Sequence, residues 1–295
     1  VAGLDVTQTI LVFGRTGQVA QALAQTAPPP GFRLEFAGRD RCDLLTTDPS
    51  SLIYAVRPAA VINAAAYTAV DKAESEPEAA SRLNRDAAGE MARACAAEAI
   101  PFVHISTDYV FDGEKPEPYV ETDPVAPLGA YGRSKAAGEA EVMAAGGAWT
   151  IFRTAWVVSP KGANFVNTVR RLAAERDVVR VVADQHGRPT LAADIAALCL
   201  ETVLQGVRGD ASLQGLFHLA GADDAVWADL AERVFDQTEQ LTGRRPVLER
   251  ITTIDYPTPA RRPANSRLDT AKLQNAAAWT PRPWRETVDR CLVGP

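Results

Sequence analysis

The sequence predicts an α/β fold, a doubly wound parallel sheet of the Rossmann type followed by a smaller C-terminal cap, and three observations predict it. Apolar runs of strand length recur at about residues 9–13, 33–37, 60–63, 101–106 and 149–153. Ala-rich helical stretches separate them, Pro77 to Ala99 and Ser134 to Ala145 among these, and such alternation yields parallel strands joined by right-handed crossovers. After Arg153 the pattern turns irregular, which marks the cap.

The first strand, Thr9-Ile10-Leu11-Val12-Phe13, runs directly into Gly14-Arg15-Thr16-Gly17-Gln18-Val19-Ala20 and then a helical Ala/Leu pattern. Strand, glycine turn and helix together form a dinucleotide site. Gly14 permits the tight turn, and Gly17 lets a pyrophosphate approach the unpaired N–H groups of the helix N-terminus. Ala20 stands where a third glycine is commoner, so the spacing is G-x-x-G-x-x-A. Pro28-Pro29-Pro30-Gly31 is the loop to the second strand, which ends Phe36-Ala37-Gly38-Arg39-Asp40. An acid at such a strand end holds the 2′-hydroxyl of NAD, whereas Gly38-Arg39 offers room and charge for the 2′-phosphate of NADP. Arg15 is placed to assist, and Asp40 keeps NAD open. Asp43 and Leu44 are expected against the adenine. Beyond the third strand, Asn63-Ala64-Ala65-Ala66 puts small residues where the cofactor backbone passes.

Tyr131 and Lys135 stand one helical turn apart, on one face. An ammonium held near a phenol favours the phenolate, which lowers the tyrosine pKa from ~10 toward neutrality. Thr107, at the end of the fourth strand, supplies a hydroxyl that orients a substrate carbonyl toward the tyrosine. Among the later segments, Val178 to Ala183 and Gly215 to Ala220 read as strands, and Leu191 to Val203 and Trp227 to Leu241 as helices. Arg244 to Arg267 carries four prolines and is expected to be loop-rich and outside the core. Residues 1–155 are thus expected to form the dinucleotide domain, with about 191–220 packing back on it. Residues 156–190 and 221–295 form the expected cap.

Composition bounds the function. The 295 residues are 46% hydrophobic and 23% charged, ordinary for a packed enzyme, and the net charge of −6 offers no basic field for nucleic acid or an anionic membrane. Cys42, Cys95, Cys199 and Cys291 are scattered, and His104, His186 and His218 share no metal-ligand spacing with them, so reduced core cysteines are expected. No apolar stretch is long enough to cross a bilayer, and the polar start Val1 to Thr7 reads as no secretory signal. A cytoplasmic location follows.

Seven motifs in order carry a resemblance: Gly14-x-x-Gly17-Gln18, Asn63 to Glu74, Ser106 to Gly113, Tyr131-Gly132-Arg133-Ser134-Lys135, Arg153-Thr154-Ala155-Trp156, Asp184 to Thr190 and Arg262 to Asp269. Together they resemble the extended short-chain dehydrogenase/reductases, and more narrowly the dTDP-4-dehydrorhamnose reductase family. The resemblance implies reduction of the 4-keto group of dTDP-4-dehydro-L-rhamnose with NADPH, NADH remaining possible. It implies that Tyr131 protonates the alkoxide, that Lys135 holds a ribose hydroxyl and tunes Tyr131, and that Thr107 bonds the carbonyl. Asp108, Tyr109 and Trp156 are implied at the sugar, with the Trp156 face against the ring. Asn164, Gln185 and Arg262 are implied at the nucleotide half, Arg262 as diphosphate clamp with Arg267 as its competitor. Some members are described with a magnesium-bridged dimer held by glutamates. Here only Asp194, Glu286 and Asp289 stand in the corresponding stretches, so no metal is expected and a homodimer is left open. Two other readings share the fold: a non-catalytic regulatory subunit, which would be expected to lose part of the Thr107, Tyr131 and Lys135 set, and a reductase of another dTDP-4-keto-6-deoxy sugar or of opposite C4 stereochemistry.

Overall fold

The computed structural model describes residues 7–293. The start of the chain over residues 1–6, read above as no secretory signal, and residues 294–295 lie outside the described residues. Gln8–Phe13 forms β1, in which Ile10 to Phe13 are fully buried, as a parallel strand covered on both faces requires. Gln18–Gln25 forms α1, with Val19, Ala20 and Leu23 turned to the sheet. Phe32–Ala37 forms β2, an edge strand whose Arg33 and Glu35 blunt its exposure. Ser50–Val56 is α2, and Ala60–Asn63 is β3, buried throughout.

Val70–Ala73 is α3, Pro77–Ser81 is α4 with its proline in the first turn, and Ala87–Ala97 is α5. The single helix expected over 77–99 is therefore interrupted, because Arg82–Asp86 takes a π turn between α4 and α5. Phe102–Thr107 is β4, Ala130–Ala145 is α6 and Trp149–Thr154 is β5. Helix α6 begins four residues before the expected Ser134, which puts Tyr131 inside its first turn.

The cap follows as β6 (Val157–Val158), α7 (Phe165–Glu175), β7 (Val178–Val182), β8 (His186–Gly187) and β9 (Thr190–Leu191). Helix α7 is not anticipated above, although Val166, Val169 and Ala173 form its buried stripe and the Asn164 side chain caps it by accepting from the Asn167 N–H. The chain then returns to the sheet through α8 (Ala192–Val207), which packs on α1, and β10 (Gly215–Leu219), which pairs with β5. It ends with β11 (Ala225–Val226), α9 (Trp227–Thr242), β12 (Val247–Ile251), α10 (Ala271–Ala276) and α11 (Trp284–Val293). Strand β12 pairs in parallel with β7, and Ala260 and Ser266 are buried, so the proline-rich segment is less peripheral than its composition suggests. The prolines leave only a 3-10 turn, Thr253–Asp255, as helix there, but they do not prevent burial.

The main sheet runs β10-β5-β4-β3-β1-β2 with every pair parallel. From β1 the chain steps to β2 on one side and then to β3 on the other. That reversal opens a crevice beyond the carboxyl ends of β1 and β3, the place where such sheets hold ligands. Apolar clusters fill both faces of the sheet, and a third, built from α7, α9 and α11, forms the cap core. All four cysteines are buried and unpaired, and no described helix is long and apolar enough to cross a membrane.

Candidate active site

A cleft of about 1090 Å³ opens at the switch point, and the glycine turn forms its floor. Gly14 has φ of +108°, and a Cβ there would lie 3.1 Å from the Ala64 and Ala65 backbone. Glycine is required on both counts. Arg15, Thr16, Gly17, Gln18 and Val19 border the cleft from the turn, Asp43 and Leu44 from beyond β2, and Ala64, Ala65 and Ala66 from the end of β3. These small residues and the exposed N-terminal turn of α1 leave space for the diphosphate of a dinucleotide, so the residues present fit the cofactor that the sequence implies. At the rim, Arg15 pairs with Asp40 at 3.0 Å. That contact answers the carboxylate that would otherwise bond a 2′-hydroxyl. Arg39 borders the cleft, is exposed, and has no ion-pair partner among the described residues.

Strand β4 and helix α6 bring the proposed catalytic set together. Thr107 ends β4, donates to Asp108 Oδ1 at 2.8 Å and accepts from the Tyr109 N–H at 3.2 Å. Helix α6 reaches this strand end because residue 132 is glycine, since a Cβ there would fall on the Tyr109 carbonyl oxygen. Glu74, distant in sequence, caps the helix by accepting from the Ala130 N–H at 2.7 Å. Tyr131 and Tyr109 meet edge to face at 5.8 Å, and both border the cleft with Thr107, Asp108 and Lys135. Lys135 is 1% exposed; its Nζ donates to the Ile105 carbonyl at 2.6 Å and lies 3.3 Å from His104 Nε2.

The protonation states depart from the reading by spacing. Burial pushes the Tyr131 phenol up to about 12, only partly offset by the Thr107 hydroxyl. Lys135 is not among the groups that lower it; its Nζ is turned to the Ile105 carbonyl, and burial pulls its own pKa down to about 8 against the opposing pull of Glu139. The expected shift of Tyr131 toward neutrality is thus corrected to a shift away from it, which leaves the phenol holding the proton that its implied role as donor requires. Burial likewise raises Asp108 to about 7, against the Thr107 hydrogen bond, and its Oδ2 has no hydrogen-bond partner.

Trp156 also borders the cleft, with φ of +47°, a strained conformation for a bulky residue. Its indole stacks on Trp227 at 3.6 Å, and residue 187 is glycine where a Cβ would fall on the Trp156 indole. One Trp156 face is therefore taken by Trp227, while the residue still borders the cleft where the resemblance puts the sugar. Trp227, absent from the sequence-derived set, borders the cleft and donates through Nε1 to Gln185 Oε1 at 3.1 Å. Its position at the start of a helix after a strand was the available signal. Gln185 thus stands behind Trp227. Asn164 stands behind the glycine turn, donating to Gln18 Oε1 at 3.0 Å. Arg262 holds Asp71 through two bonds of 3.0 and 2.8 Å, and Arg267 holds Asp224 at 2.8 Å. None of Asn164, Gln185, Arg262 and Arg267 lines the cleft.

Among the described residues no group of three or more His, Cys, Asp or Glu is placed to hold a metal ion. Asp194, Glu286 and Asp289 are engaged by arginines: Arg282 meets Asp194 and Glu286, and Arg233 meets Asp289.

A family model described as the RmlD substrate binding domain matches residues 8–294. The chain is 44% identical over 285 residues to a dTDP-4-dehydrorhamnose reductase of Sinorhizobium fredii, covering 96% of each chain. It is 39% identical over 289 residues to the Escherichia coli protein of that name, again with 96% of each covered. Among solved structures it is similar to the dTDP-4-dehydrorhamnose reductase of Bacillus anthracis in complex with NADP, with a TM-score of 0.89 at 29% identity over 97% of this chain and 99% of that one. The Clostridium acetobutylicum ortholog gives a TM-score of 0.88 at 32% identity, with 97% and 98% covered.

Proposed function

The chain belongs to the RmlD family of dTDP-4-dehydrorhamnose reductases, and on that premise we propose that it reduces the 4-keto group of dTDP-4-dehydro-L-rhamnose to give dTDP-L-rhamnose. NADPH is the preferred reductant, with NADH usable. The carrying observation is the meeting of Tyr131, Thr107 and Lys135 in the cleft that the Gly14 turn floors. The glycine turn, Ala64 to Ala66, Asp43 and Leu44 hold the dinucleotide, and Arg39 faces its 2′-phosphate. When bound, the nicotinamide supplies the hydride.

Every remaining task falls to the protein. Tyr131 keeps a proton ready for the sugar O4 as charge develops there, its pKa raised by burial above the neutral range. Lys135 stands one turn behind, where a charged amine answers the phenolate left after transfer. Thr107 orients the carbonyl. In the unliganded arrangement its hydroxyl proton points at Asp108, so Asp108 must itself be protonated for Thr107 to donate to the substrate, and its raised pKa makes that form available near neutrality. Tyr109, Trp156 and Trp227 wall the sugar side.

The test is turnover of dTDP-4-dehydro-L-rhamnose with NADPH, with chiral analysis of the product, in the native protein and in Tyr131→Phe. The variant keeps the ring and its contact with Tyr109 but removes the proton, so kcat falls by ~10² or more with little change in NADPH binding. Near-normal turnover in Tyr131→Phe would remove the acid assignment. Absence of product from the native protein would remove the reaction.

A further inference from the structure

Asn63 and His104 are register partners on β3 and β4, so their side chains project from the same face of the sheet. The Asn63 Oδ1 accepts from the Ala65 N–H at 3.1 Å, which turns its Nδ2 toward His104 Nδ1, also at 3.1 Å. An amide nitrogen only donates, so Nδ1 accepts, and the proton of the neutral ring sits on Nε2. An imidazolium is excluded, because His104 is fully buried, its Nδ1–H would meet the Asn63 N–H, and a second charge would stand beside Lys135; its pKa is driven well below 6.5, chiefly by burial.

Nε2 lies 3.3 Å from Lys135 Nζ. An ammonium has three donors and no acceptor, so an N–H aimed at it finds no lone pair, whereas a neutral amine accepts from Nε2–H and still donates to the Ile105 carbonyl. We infer that His104 is a positioning residue: held by Asn63 in its Nε2–H form, it destabilises the charged form of Lys135 and keeps that amine poised between its two protonation states.

The other ionisable groups around Lys135 do not supply this. Glu139, one turn along α6, favours the ammonium but is shared with Arg153 of β5 and the Ser106 hydroxyl. Tyr131 and Tyr109 are protonated, and Asp108 bonds Thr107. Burial, opposed by Glu139, by itself brings Lys135 to about 8, and the Nε2–H of His104 acts in the same direction as burial. A ribose hydroxyl oxygen accepts hydrogen bonds and so favours the ammonium. Hence NADPH binding draws a proton onto Lys135, a consequence that rests on the cofactor reading proposed above.

The test has two arms. Imidazole ¹H–¹⁵N correlation spectra of the cofactor-free protein, simplified by a total of three histidines, report which nitrogen of His104 carries hydrogen. The expected pattern is Nε2–H, unchanged down to pH 5; an Nδ1–H form, or protonation above pH 6, overturns the inference whatever the protein's activity. In the second arm, NADPH affinity is measured by fluorescence from pH 7 to 10. Native affinity should fall about tenfold per pH unit above about 8, as linkage to one proton demands. Asn63→Asp, nearly isosteric, offers an acceptor to Nδ1, moves the ring proton there and turns Nε2 into an acceptor. His104→Leu removes the N–H without adding charge. Both should flatten the fall between pH 8 and 9. A merely structural role predicts weaker binding at every pH with the slope retained, and that result in both variants overturns the inference. Failure to bind NADPH at any pH would instead undo the cofactor reading, leaving the tautomer result standing.

Discussion

Glu139→Gln is expected to damage stability and cofactor affinity together. Glu139 and Arg153 form a nearly inaccessible pair, with side chains 2% and 3% exposed and contacts of 2.9 and 2.6 Å, and the Ser106 hydroxyl adds a third bond of 2.5 Å. Glutamine preserves the shape but sets an NH₂ against one guanidinium nitrogen and leaves the Arg153 charge without a counter-ion. Arg153 Nη1 already lacks a partner, so no other group compensates. Breaking a buried pair from one side costs about 3–5 kcal/mol. At about 2–4 °C per kcal/mol for a chain of this size, Tm should drop by about 6–20 °C. Glu141, two residues along α6, pairs with Arg93 at 2.7 Å on the surface, with side chains 54% and 42% exposed for Arg93 and Glu141. Glu141→Gln should therefore cost no more than about 1 kcal/mol. Urea unfolding of both variants measures the contrast. Equal losses, or a Glu139→Gln loss under about 1 kcal/mol, would refute the claim that this pair is a buried electrostatic unit.

The same substitution removes the one carboxylate that favours the charged form of Lys135, so its pKa should fall further below about 8 and NADPH should bind more weakly at neutral pH. For cofactor choice, Arg39→Ala should lower kcat/KM with NADPH by about tenfold while leaving NADH unaffected, since one lost charge-assisted phosphate contact is worth about 1.5–3 kcal/mol before solvent screening; equal loss with both cofactors would move Arg39 off the 2′-phosphate. Arg262→Ala should raise KM for the sugar nucleotide and leave NADPH titrations unchanged, with Asp71→Asn as the discriminating partner. If Arg262 acts by tethering its segment to α3, Asp71→Asn reproduces the defect; if it clamps diphosphate, freeing it from Asp71 does not weaken dTDP competition. Finally, Asp108 is needed protonated and titrates at about 7, so kcat should fall as pH rises through about 7. Asp108→Asn supplies a permanent donor to Thr107 and should flatten that limb. An unchanged limb would detach it from Asp108.

The strand positions, the glycine turn and the Thr107, Tyr131 and Lys135 set were legible because each is written locally, in an apolar run, a turn that only glycine enters or a pair four residues apart. Helix α7 escaped because Asn167, Thr168, Arg170 and Arg171 break up its apolar residues, and β12 because prolines flank it. Trp227 was visible only as the opening residue of a helix. Its place in the cleft depends on α9 packing into the cap and on a stack with Trp156 across 71 positions. The Arg262–Asp71 pair spans 191 positions and was equally out of reach of any spacing argument.

Proton positions are harder still to read. Tyr131 and Lys135 share a helix face, and from that alone the ammonium is expected to lower the phenol pKa. The outcome depends instead on which acceptor lies nearest the ammonium and on how much water remains. Burial acts on both groups, pulling Lys135 toward neutrality although the Ile105 carbonyl accepts from its amine, and raising the Tyr131 phenol so that the tyrosine keeps its proton. For a reductase that arrangement is chemically apt. The reaction consumes a proton at oxygen, so the resting site needs the phenol protonated, and it needs a cation close by only once the phenolate has formed. A tyrosine ionised at rest would serve the reverse reaction better, by accepting the proton of an alcohol. The same Tyr-x-x-x-Lys spacing is compatible with either direction; the raised Tyr131 pKa, the burial of Lys135 and the Asn63–His104 chain behind the lysine suit the reductive one.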